Sequence, residues 1–360
     1  ADNEAKDRIA TTINYVNSLK SVIYDFIEQA DKDRVYYMTG NSGSSRNDKN
    51  FLELKSNLVE SQRPFCDLLN AYDSVTMTSA TLTAGGDFNF IRNRLGITGN
   101  ESECVSMSES KGESERITRQ YLQSKIKNRK LPFKEMVVGS PFDYKRQSLL
   151  YLDKELPSPV KENNEIFQKK GLKTIEGLIN ASKGRALVLF TSYSHLHFVS
   201  ENINIEYPFK SQGDMPPPRL MEWFKETPNS VLLATATFWH GIDIKGEKLS
   251  LVVIVKMPFG LPGDPVYDER CKRLGERWFK DLALPSAILL LRQGFGRLIR
   301  GVNDYGVVAI LDTRLLNSSY GQIIVSSLPN MDIVYHIENV KMFFDSMPQP
   351  ASPKGVIPPG

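Results

Sequence analysis

The chain has 360 residues, of which 41% are hydrophobic and 24% are charged. At about 150 residues per domain, this length predicts two structural units, or one large domain with appendages, and the ordinary apolar content excludes a wholly disordered chain. A formal net charge of +3 is too small to predict a nucleic-acid binder, although it leaves room for a local basic groove.

Cysteine spacing and hydropathy exclude two further classes. Cys66, Cys104 and Cys271 form no C-x-x-C pair, which argues against a zinc or thioredoxin-like site. The longest apolar runs, such as 249–255, are far shorter than the about 20 residues that span a bilayer, and the first residues do not resemble a signal peptide. We therefore expect a cytoplasmic protein with no membrane partner. The first residue is not Met, so we expect a piece of a longer polypeptide.

The first 140 residues predict short, mixed elements. Apolar residues recur at three, four or seven positions through 5–30, which predicts an amphipathic helix. Strands are then predicted at 34–38, 51–59 and 74–78, and helices at 63–70 and 88–95. The polar segment 101–130 has no apolar face, which indicates a connector.

From residue 148 onward, strands and helices alternate. Continuous runs of Val, Ile, Leu and Ala predict strands that are buried on both faces, as in a parallel sheet. The predicted strands are 148–152, 185–190, 231–234, 249–255 and 306–311, and the predicted helices are 165–181, 194–204, 218–225 and 285–291. The fold class predicted from this pattern is α/β, with a parallel sheet and flanking helices.

Several motifs that would identify an enzyme are missing from this sequence. It has no G-x-x-x-x-G-K-[ST] phosphate-binding loop and no acidic pair at a strand end, so it lacks both Walker motifs. It also has no G-x-S-x-G and no H-E-x-x-H, and its four histidines are not spaced as metal ligands. No metal site is predicted.

A cluster of Gln, Gly and Arg residues follows the predicted helix 285–291. Arg297 and Arg300 lie three positions apart, so we expect both guanidiniums on one helical face, where they can bind one anion. Gly294 and Gly296 leave no side chain in the way, and Gln293 precedes them. Two permanently charged guanidiniums are suited to bind a phosphoryl group during its transfer. The alternative interpretation is a surface arginine pair on a solvated helix.

Polar residues also leave the end of the predicted strand 231–234, where ligands of open α/β sheets bind. Asp243 can accept a hydrogen bond from a ribose hydroxyl or a neighbouring Arg, and Thr235 and Thr237 can donate to a phosphodiester. Trp239 is either a stacking platform for bases or a core residue.

A second polar segment, Thr191, Ser192 and Tyr193, ends the predicted strand 185–190. Hydroxyls and backbone N–H groups at a helix start bind phosphate well, and a plain N-cap by Ser192 or Ser194 explains the pattern equally.

Six segments in this order resemble the superfamily-two DNA helicases, and in particular their DinG-like branch, which is related to XPD. The string Gln-Gly-Phe-Gly-Arg-Leu-Ile-Arg is similar to motif VI, Phe-Trp-x-Gly-Ile-Asp to motif V and Ser-Ala-Thr to motif III. The segments are 79–81, 139–144, 187–193, 238–246, 255–266 and 293–301. The resemblance covers about residues 74–330.

The resemblance implies the C-terminal half of a helicase, with a RecA-like parallel sheet. Residues 1–73 would be a helical and extended tail of the first motor domain and its insertion, 74–345 the second RecA-like domain, and 346–360 a loose Pro/Gly tail. ATP would lie between the two domains, and the first RecA-like domain of the same polypeptide would supply the Walker motifs and hold Mg²⁺.

The resemblance also assigns roles to residues at the matching positions. The catalytic residues would be Gln293, Arg297 and Arg300. The nucleotide-facing residues would be Asp243, Gly241, Gly294, Gly296, Ser79 and Thr81. The residues that contact single-stranded DNA would be Thr191, Ser192, Tyr193, Thr235, Thr237, Trp239 and Phe142.

Family members move 5′ to 3′ and typically carry an iron–sulfur cluster in the first domain, whose cysteines are missing from this chain. His240 stands where the family usually has Glu, an acidic residue that could orient the motif VI arginines, so the resemblance leaves the strength of this coupling open. With the Walker motifs missing, this chain would be inactive as an ATPase by itself. The alternative is a degenerate helicase fold that binds nucleic acid without hydrolysis.

Overall fold

The structure of the protein is a computed structural model that describes residues 2–40, 52–79, 81–97, 134–235, 238 and 248–348. The residues group into two units. The described parts of Ala1–Thr76, Ile91–Phe133 and Leu261–Leu282 form the first, and those of Met77–Phe90, Lys134–Gly260 and Ala283–Gly360 form the second. The first unit thus takes in a segment that lies far along the sequence.

The first unit consists of helices and one β-hairpin. Its elements are α1 (Asp2–Glu28), β1 (Arg34–Gly40), β2 (Leu52–Leu58), α2 (Gln62–Asn70) and α8 (Pro265–Leu274), and the short helix α3 (Asn89–Leu95) crosses from the second unit into it. β1 and β2 pair antiparallel. Arg270 on α8 donates from Nε to the Val59 carbonyl oxygen (2.5 Å) and pairs with Glu60 (3.6 Å), which holds α8 beside β2.

The predicted helices at 5–30, 63–70 and 88–95 and the strands at 34–38 and 51–59 are confirmed. The strand predicted at 74–78 is wrong, because residues 74–79 are exposed and pair with no strand of the described chain. A strand persists only where a neighbour takes up its backbone hydrogen bonds, and this local sequence pattern contains no information about such a neighbour.

The second unit contains a seven-stranded sheet in which every pair is parallel. Its order is β5-β6-β4-β7-β8-β3-β9. The strands are β3 (Ser148–Leu152), β4 (Ala186–Phe190), β5 (Phe209–Ser211), β6 (Val231–Thr235), β7 (Leu251–Ile254), β8 (Gly306–Ile310) and β9 (Asp332–Val334). The predicted fold class is confirmed. The sequence patterns missed only the two edge strands β5 and β9, which have three residues each.

Helices surround this sheet and bury both of its faces. They are α4 (Tyr144–Gln147), α5 (Asn164–Ser182), α6 (Tyr193–Asn202), α7 (Pro217–Glu226), α9 (Leu284–Leu298), α10 (Arg314–Asn317), α11 (Gly321–Ser326) and α12 (Ile337–Ser346). Phe167 and Ile175 of α5 are fully buried against the sheet. Burying one such side chain contributes about 1.5–3 kcal/mol, so this layer is a main source of the stability of the unit.

The turn between α5 and β4 explains one glycine. Gly184 has φ +76°, and a Cβ added there would lie 2.1 Å from the Asn229 carbonyl oxygen. Only glycine fits this close approach, which aligns β4 with its neighbour β6.

The strand order has its switch point between β4 and β7. From β4 the chain continues to β5 and β6 on one side, and it then returns to β7 and β8 on the other. Open α/β sheets bind ligands beyond the carboxyl ends of their strands at such a point.

Among the described residues, no helix combines the length and the hydropathy that a membrane crossing requires.

Candidate functional site

The segment that follows β4 forms the first part of the site. Ser192 caps α6, because its Oγ accepts a hydrogen bond from the His195 N–H (3.4 Å). Thr191 lies at the strand end, and the side chain of Tyr193 is half exposed. The N-cap function of Ser192 is therefore confirmed, and a contact of this segment with DNA stays a prediction.

An amide joins this segment to the end of β6. Gln212, directly after β5, accepts through Oε1 from the Thr235 N–H (2.8 Å) and the Thr235 hydroxyl (2.9 Å). Its Nε2 donates to the Tyr193 hydroxyl (2.6 Å). The structure thus brings together two residues that were predicted from separate segments. Sequence reasoning missed Gln212, because the three-residue strand before it gives a weak pattern.

Thr235 itself is buried, with 5% of its surface exposed. Its hydroxyl hydrogen is directed at Gln212. In this arrangement the hydroxyl has no hydrogen left to donate to a phosphodiester, so its geometry suits a supporting position behind Tyr193.

A small pocket lies at the switch point. Among the residues that line it are Thr191 after β4, Lys256 after β7 and Leu290 of α9. Lys256 donates from Nζ to Asn164 Oδ1 (3.1 Å) and lies 5.2 Å from the centre of the Phe167 ring. Burial and then the nearby guanidinium of Arg314 lower the pKa of Lys256, while Asp312 acts in the opposite direction.

His195 lies behind this pocket as a core residue. It is 3% exposed, and its ring packs edge-on against Phe167 (5.9 Å) and Phe190 (5.3 Å). Within the described part of the chain, its buried Nε2 has no hydrogen-bond partner. Burial, with a smaller contribution from Lys256, lowers the pKa of His195 to about 4. The imidazole is therefore neutral near pH 7.

A buried carboxylate ties the ends of β7 and β8 together. Asp312 is 2% exposed and accepts from the Met257 N–H (2.8 Å) and from Nε (2.9 Å) and Nη2 (2.6 Å) of Arg314. This fork holds the guanidinium of Arg314 at 5.5 Å from the Phe259 ring centre. The carboxyl edge of the sheet is thereby held in one arrangement.

The predicted helix 285–291 continues further than expected. α9 runs from Leu284 to Leu298, so the segment Gln293–Leu298 is part of the helix and does not follow it. Gln293 and Arg297 lie one turn apart on α9 and are partly buried. Neither side chain has a hydrogen bond or ion pair within the part of the chain that is described. Both are available to a ligand.

The two glycines of this helix differ in their surroundings. Gly294 is buried, whereas Gly296 is exposed. A Cβ added to Gly296 would meet no atom within 4 Å. Local packing therefore does not require glycine at position 296.

Arg300 departs from the expected geometry. The helix ends at Leu298 and Ile299 is extended (φ −115°, ψ 111°), so the prediction that Arg297 and Arg300 share one helical face is wrong. The cause is Asp304, whose Oδ2 accepts from the N–H groups of Arg300 (2.9 Å) and Gly301 (2.8 Å) and so competes with the helical hydrogen bonds.

A buried amide holds the same loop from the other side. Gln147 donates from Nε2 to the carbonyl oxygens of Gly301 and Asp304, at 2.8 Å each. The backbone of Arg300 is therefore fixed just beyond the end of α9, next to the last turn that carries Arg297.

Thr83 is attached to α9. Ser79 Oγ accepts from the Thr81 N–H (3.2 Å). Arg292 donates from Nη1 to the carbonyl oxygen (2.8 Å) and hydroxyl (2.6 Å) of Thr83. Sequence reasoning missed Arg292, whose only signal was its position beside Gln293.

Of the five remaining predicted site residues, the structure describes one. Phe142 is partly buried before α4 and packs edge-on against Tyr144 (6.2 Å). The other four, Gly241, Asp243, Thr237 and Trp239, lie outside the described residues, as does His240. Within the described ranges, no group of three or more His, Cys, Asp or Glu side chains could hold a metal ion.

Comparison with known proteins finds relatives of this chain among the helicases. Residues 175–331 match the model of the Helicase C-terminal domain family. The chain is 35% identical over 275 residues to the ATP-dependent DNA helicase YoaA of Haemophilus influenzae, covering 75% of this chain and 37% of that protein. It is 33% identical over 261 residues to the ATP-dependent helicase DinG of Mycobacterium tuberculosis, covering 71% and 34%.

A solved structure named XPD_Helicase is 21% identical, with a TM-score of 0.43, and covers 52% of this chain and 36% of that one. The chain thus spans about a third of the length of the curated relatives that it matches.

The parallel sheet and the family match define a helicase C-terminal domain with a RecA-like fold. Residues 175–331 thus match a helicase C-terminal domain, and the resemblance to DinG-like helicases that the six motifs predict is confirmed.

Proposed function

We propose that this chain is the second motor domain of an ATP-dependent DNA helicase that moves 5′ to 3′. One observation carries the proposal. Arg297 and Gln293 lie one turn apart on α9, and neither has a partner among the described residues. A guanidinium without an ion pair, beside an amide and the open surface at Gly296, is suited to an anionic ligand.

In this proposal Arg297 binds the phosphoryl group that is transferred from ATP and stabilises its charge. An arginine finger of this kind contributes about 10³–10⁵ in rate. Arg300 adds a second charge from the loop that Asp304 and Gln147 hold. Gly294, Gly296, Gly241 and Asp243 would be the other residues that contact the nucleotide.

We assign Mg²⁺ and the Walker motifs to the first RecA-like domain of the same polypeptide. The described residues offer no carboxylate cluster for the ion, and the sequence has no phosphate-binding loop. In the same way we assign any iron–sulfur cluster to the preceding domain. We propose the domain organisation 1–73, 74–345 and 346–360, although the described parts of Ile91–Phe133 and Leu261–Leu282, which lie within the second range, group with the first unit.

In this proposal, hydrogen bonds within the domain connect the nucleotide-binding residues to the residues that contact DNA. Arg292, next to Gln293, holds Thr83. Ser79 and Thr81, which precede Thr83 in the sequence, would couple nucleotide state to DNA grip. At the carboxyl edge of the sheet, Thr191, Ser192 and Tyr193 would contact single-stranded DNA, with Thr235 behind them. Thr237, Trp239 and Phe142 would extend this surface. A helicase of this kind acts on DNA in the cytoplasm.

The test compares the 360-residue chain with the full polypeptide. We expect the isolated chain to show no Mg²⁺-dependent ATP hydrolysis above background and to bind single-stranded DNA weakly, with an affinity that falls steeply as salt is added. Steady turnover by the isolated chain would contradict the assignment of half an ATP site. A DNA affinity independent of salt would contradict the DNA surface.

A further inference from the structure

The amide of Gln212 has only one orientation that satisfies its neighbours. The Thr235 N–H can only donate, so the atom 2.8 Å away from it must be the acceptor Oε1. The Thr235 hydroxyl, at 2.9 Å from the same oxygen, then donates to it as well. Nε2 consequently faces the Tyr193 hydroxyl, 2.6 Å away, and donates to it.

The loop that carries Gln212 is itself fixed. The Gln212 N–H donates to the Leu233 carbonyl oxygen (2.8 Å), which continues the pairing of β5 with β6. Asp214 Oδ2 accepts from the Ser211 N–H (2.7 Å). Gln212 is therefore held in place before any ligand arrives.

This orientation determines what Tyr193 can do. A phenol hydroxyl has one hydrogen to donate. The side-chain Nε2–H of Gln212 occupies a lone pair of the Tyr193 hydroxyl oxygen, so the hydroxyl hydrogen must point in another direction. Tyr193 is 52% exposed and has no other hydrogen bond among the described residues. The hydroxyl is thus left as a donor on an exposed side chain, with no acceptor for its hydrogen in the described ranges.

We propose that Gln212 is a positioning residue, which orients the Tyr193 hydroxyl so that its hydrogen is donated outward. The acceptor of this hydrogen bond is a phosphate oxygen of single-stranded nucleic acid. A phosphate oxygen is charged and can only accept, so it matches a group whose hydrogen is directed outward. This inference rests on the proposed function of the carboxyl edge as a nucleic-acid surface.

The experiment is a double-mutant cycle in the 360-residue chain. Tyr193→Phe removes the hydroxyl and keeps the ring for stacking. Gln212→Glu keeps the acceptor for Thr235 and removes the donor, so the Tyr193 hydroxyl turns inward to the carboxylate. The negative charge added by Gln212→Glu is present in both variants of that background, so its effect on affinity cancels when the two Tyr193→Phe changes are compared. Affinity is measured by fluorescence anisotropy at low salt for oligo-dT and for an abasic strand of the same length. Circular dichroism verifies the fold.

We expect Tyr193→Phe to weaken binding about tenfold on both strands, because the abasic strand retains every phosphate. In the Gln212→Glu background the same substitution should change affinity less than twofold. Wild-type affinity of Tyr193→Phe, or an equal loss in both backgrounds, would overturn the inference. So would a loss that vanishes on the abasic strand, which would identify a base as the acceptor.

The outcomes also separate this inference from the function beneath it. If the wild-type chain binds neither strand, the nucleic-acid surface is refuted together with the inference. If the wild-type chain binds both strands and Tyr193→Phe binds equally well, only the inference fails.

Discussion

Replacing Arg292 by Met should release the segment around Thr83 from α9. Arg292 provides two hydrogen bonds to Thr83, at 2.8 and 2.6 Å, and Thr83 is 7% exposed. Hydrogen bonds to charged groups contribute about 1.5–3 kcal/mol each, and partial exposure of the guanidinium reduces this value. We expect a loss of about 2 kcal/mol for the pair, which corresponds to about a 30-fold change in an opening equilibrium.

Amide hydrogen exchange of Ala84 measures this opening. Its N–H donates to the Asp87 carbonyl oxygen (3.0 Å), so it exchanges only when the segment opens. The matched control is Arg297→Met, which removes an arginine of the same helix that has no partner among the described residues. Exchange in Arg292→Met that stays within threefold of the wild type, or equal acceleration in the control, would refute the reasoning.

Two further substitutions test other parts of the site. Gly296→Ala should raise the stability of the isolated chain by about 0.4–1 kcal/mol in thermal unfolding, because the added methyl group meets no atom within 4 Å. The same substitution should impair ATP hydrolysis by the full polypeptide, because this surface would face the nucleotide. Full ATPase activity of the variant would contradict that placement. The pKa of His195 is about 4 in the folded chain against an ordinary 6.5, so the unfolded chain binds a proton in this window that the folded chain does not. Stability should therefore be complete above pH 6.5 and decrease as the pH falls from 6.5 to 4, by at most about 1.4 kcal/mol per pH unit. His195→Phe should flatten this decrease in urea titrations, and an unchanged slope would assign it to other groups.

The parallel sheet could be predicted because its central strands are buried on both faces. Five strands consist entirely of buried residues, which produces the continuous apolar runs in the sequence. The edge strands β5 and β9 are short and partly exposed, so they leave no such signal. The strand predicted at 74–78 has the right composition but no pairing neighbour within the described chain.

The residue types of the candidate site were proposed from the sequence, whereas part of its geometry could not be. Motif spacing pointed to Gln293, Arg297 and Arg300, whose roles stay a prediction, but it could not show that Asp304 ends the helix before Arg300. Motif spacing also could not show the role of Gln212, because this residue contacts Tyr193 and Thr235, which lie 19 and 23 positions away in sequence. Local periodicity describes one element at a time, whereas these contacts depend on how strands are ordered in the sheet.

The central claim is that Arg297 and Arg300 act on a nucleotide bound by the preceding domain. The most direct measurement is single-turnover ATP hydrolysis by the full polypeptide with single-stranded DNA, for the wild type and for Arg297→Ala and Arg300→Ala, beside the binding of a fluorescent ATP analogue. We expect the hydrolysis rate to fall by about 10³ or more in both variants, while nucleotide affinity changes only a few-fold. Hydrolysis within a few-fold of the wild-type rate in both variants would contradict the account.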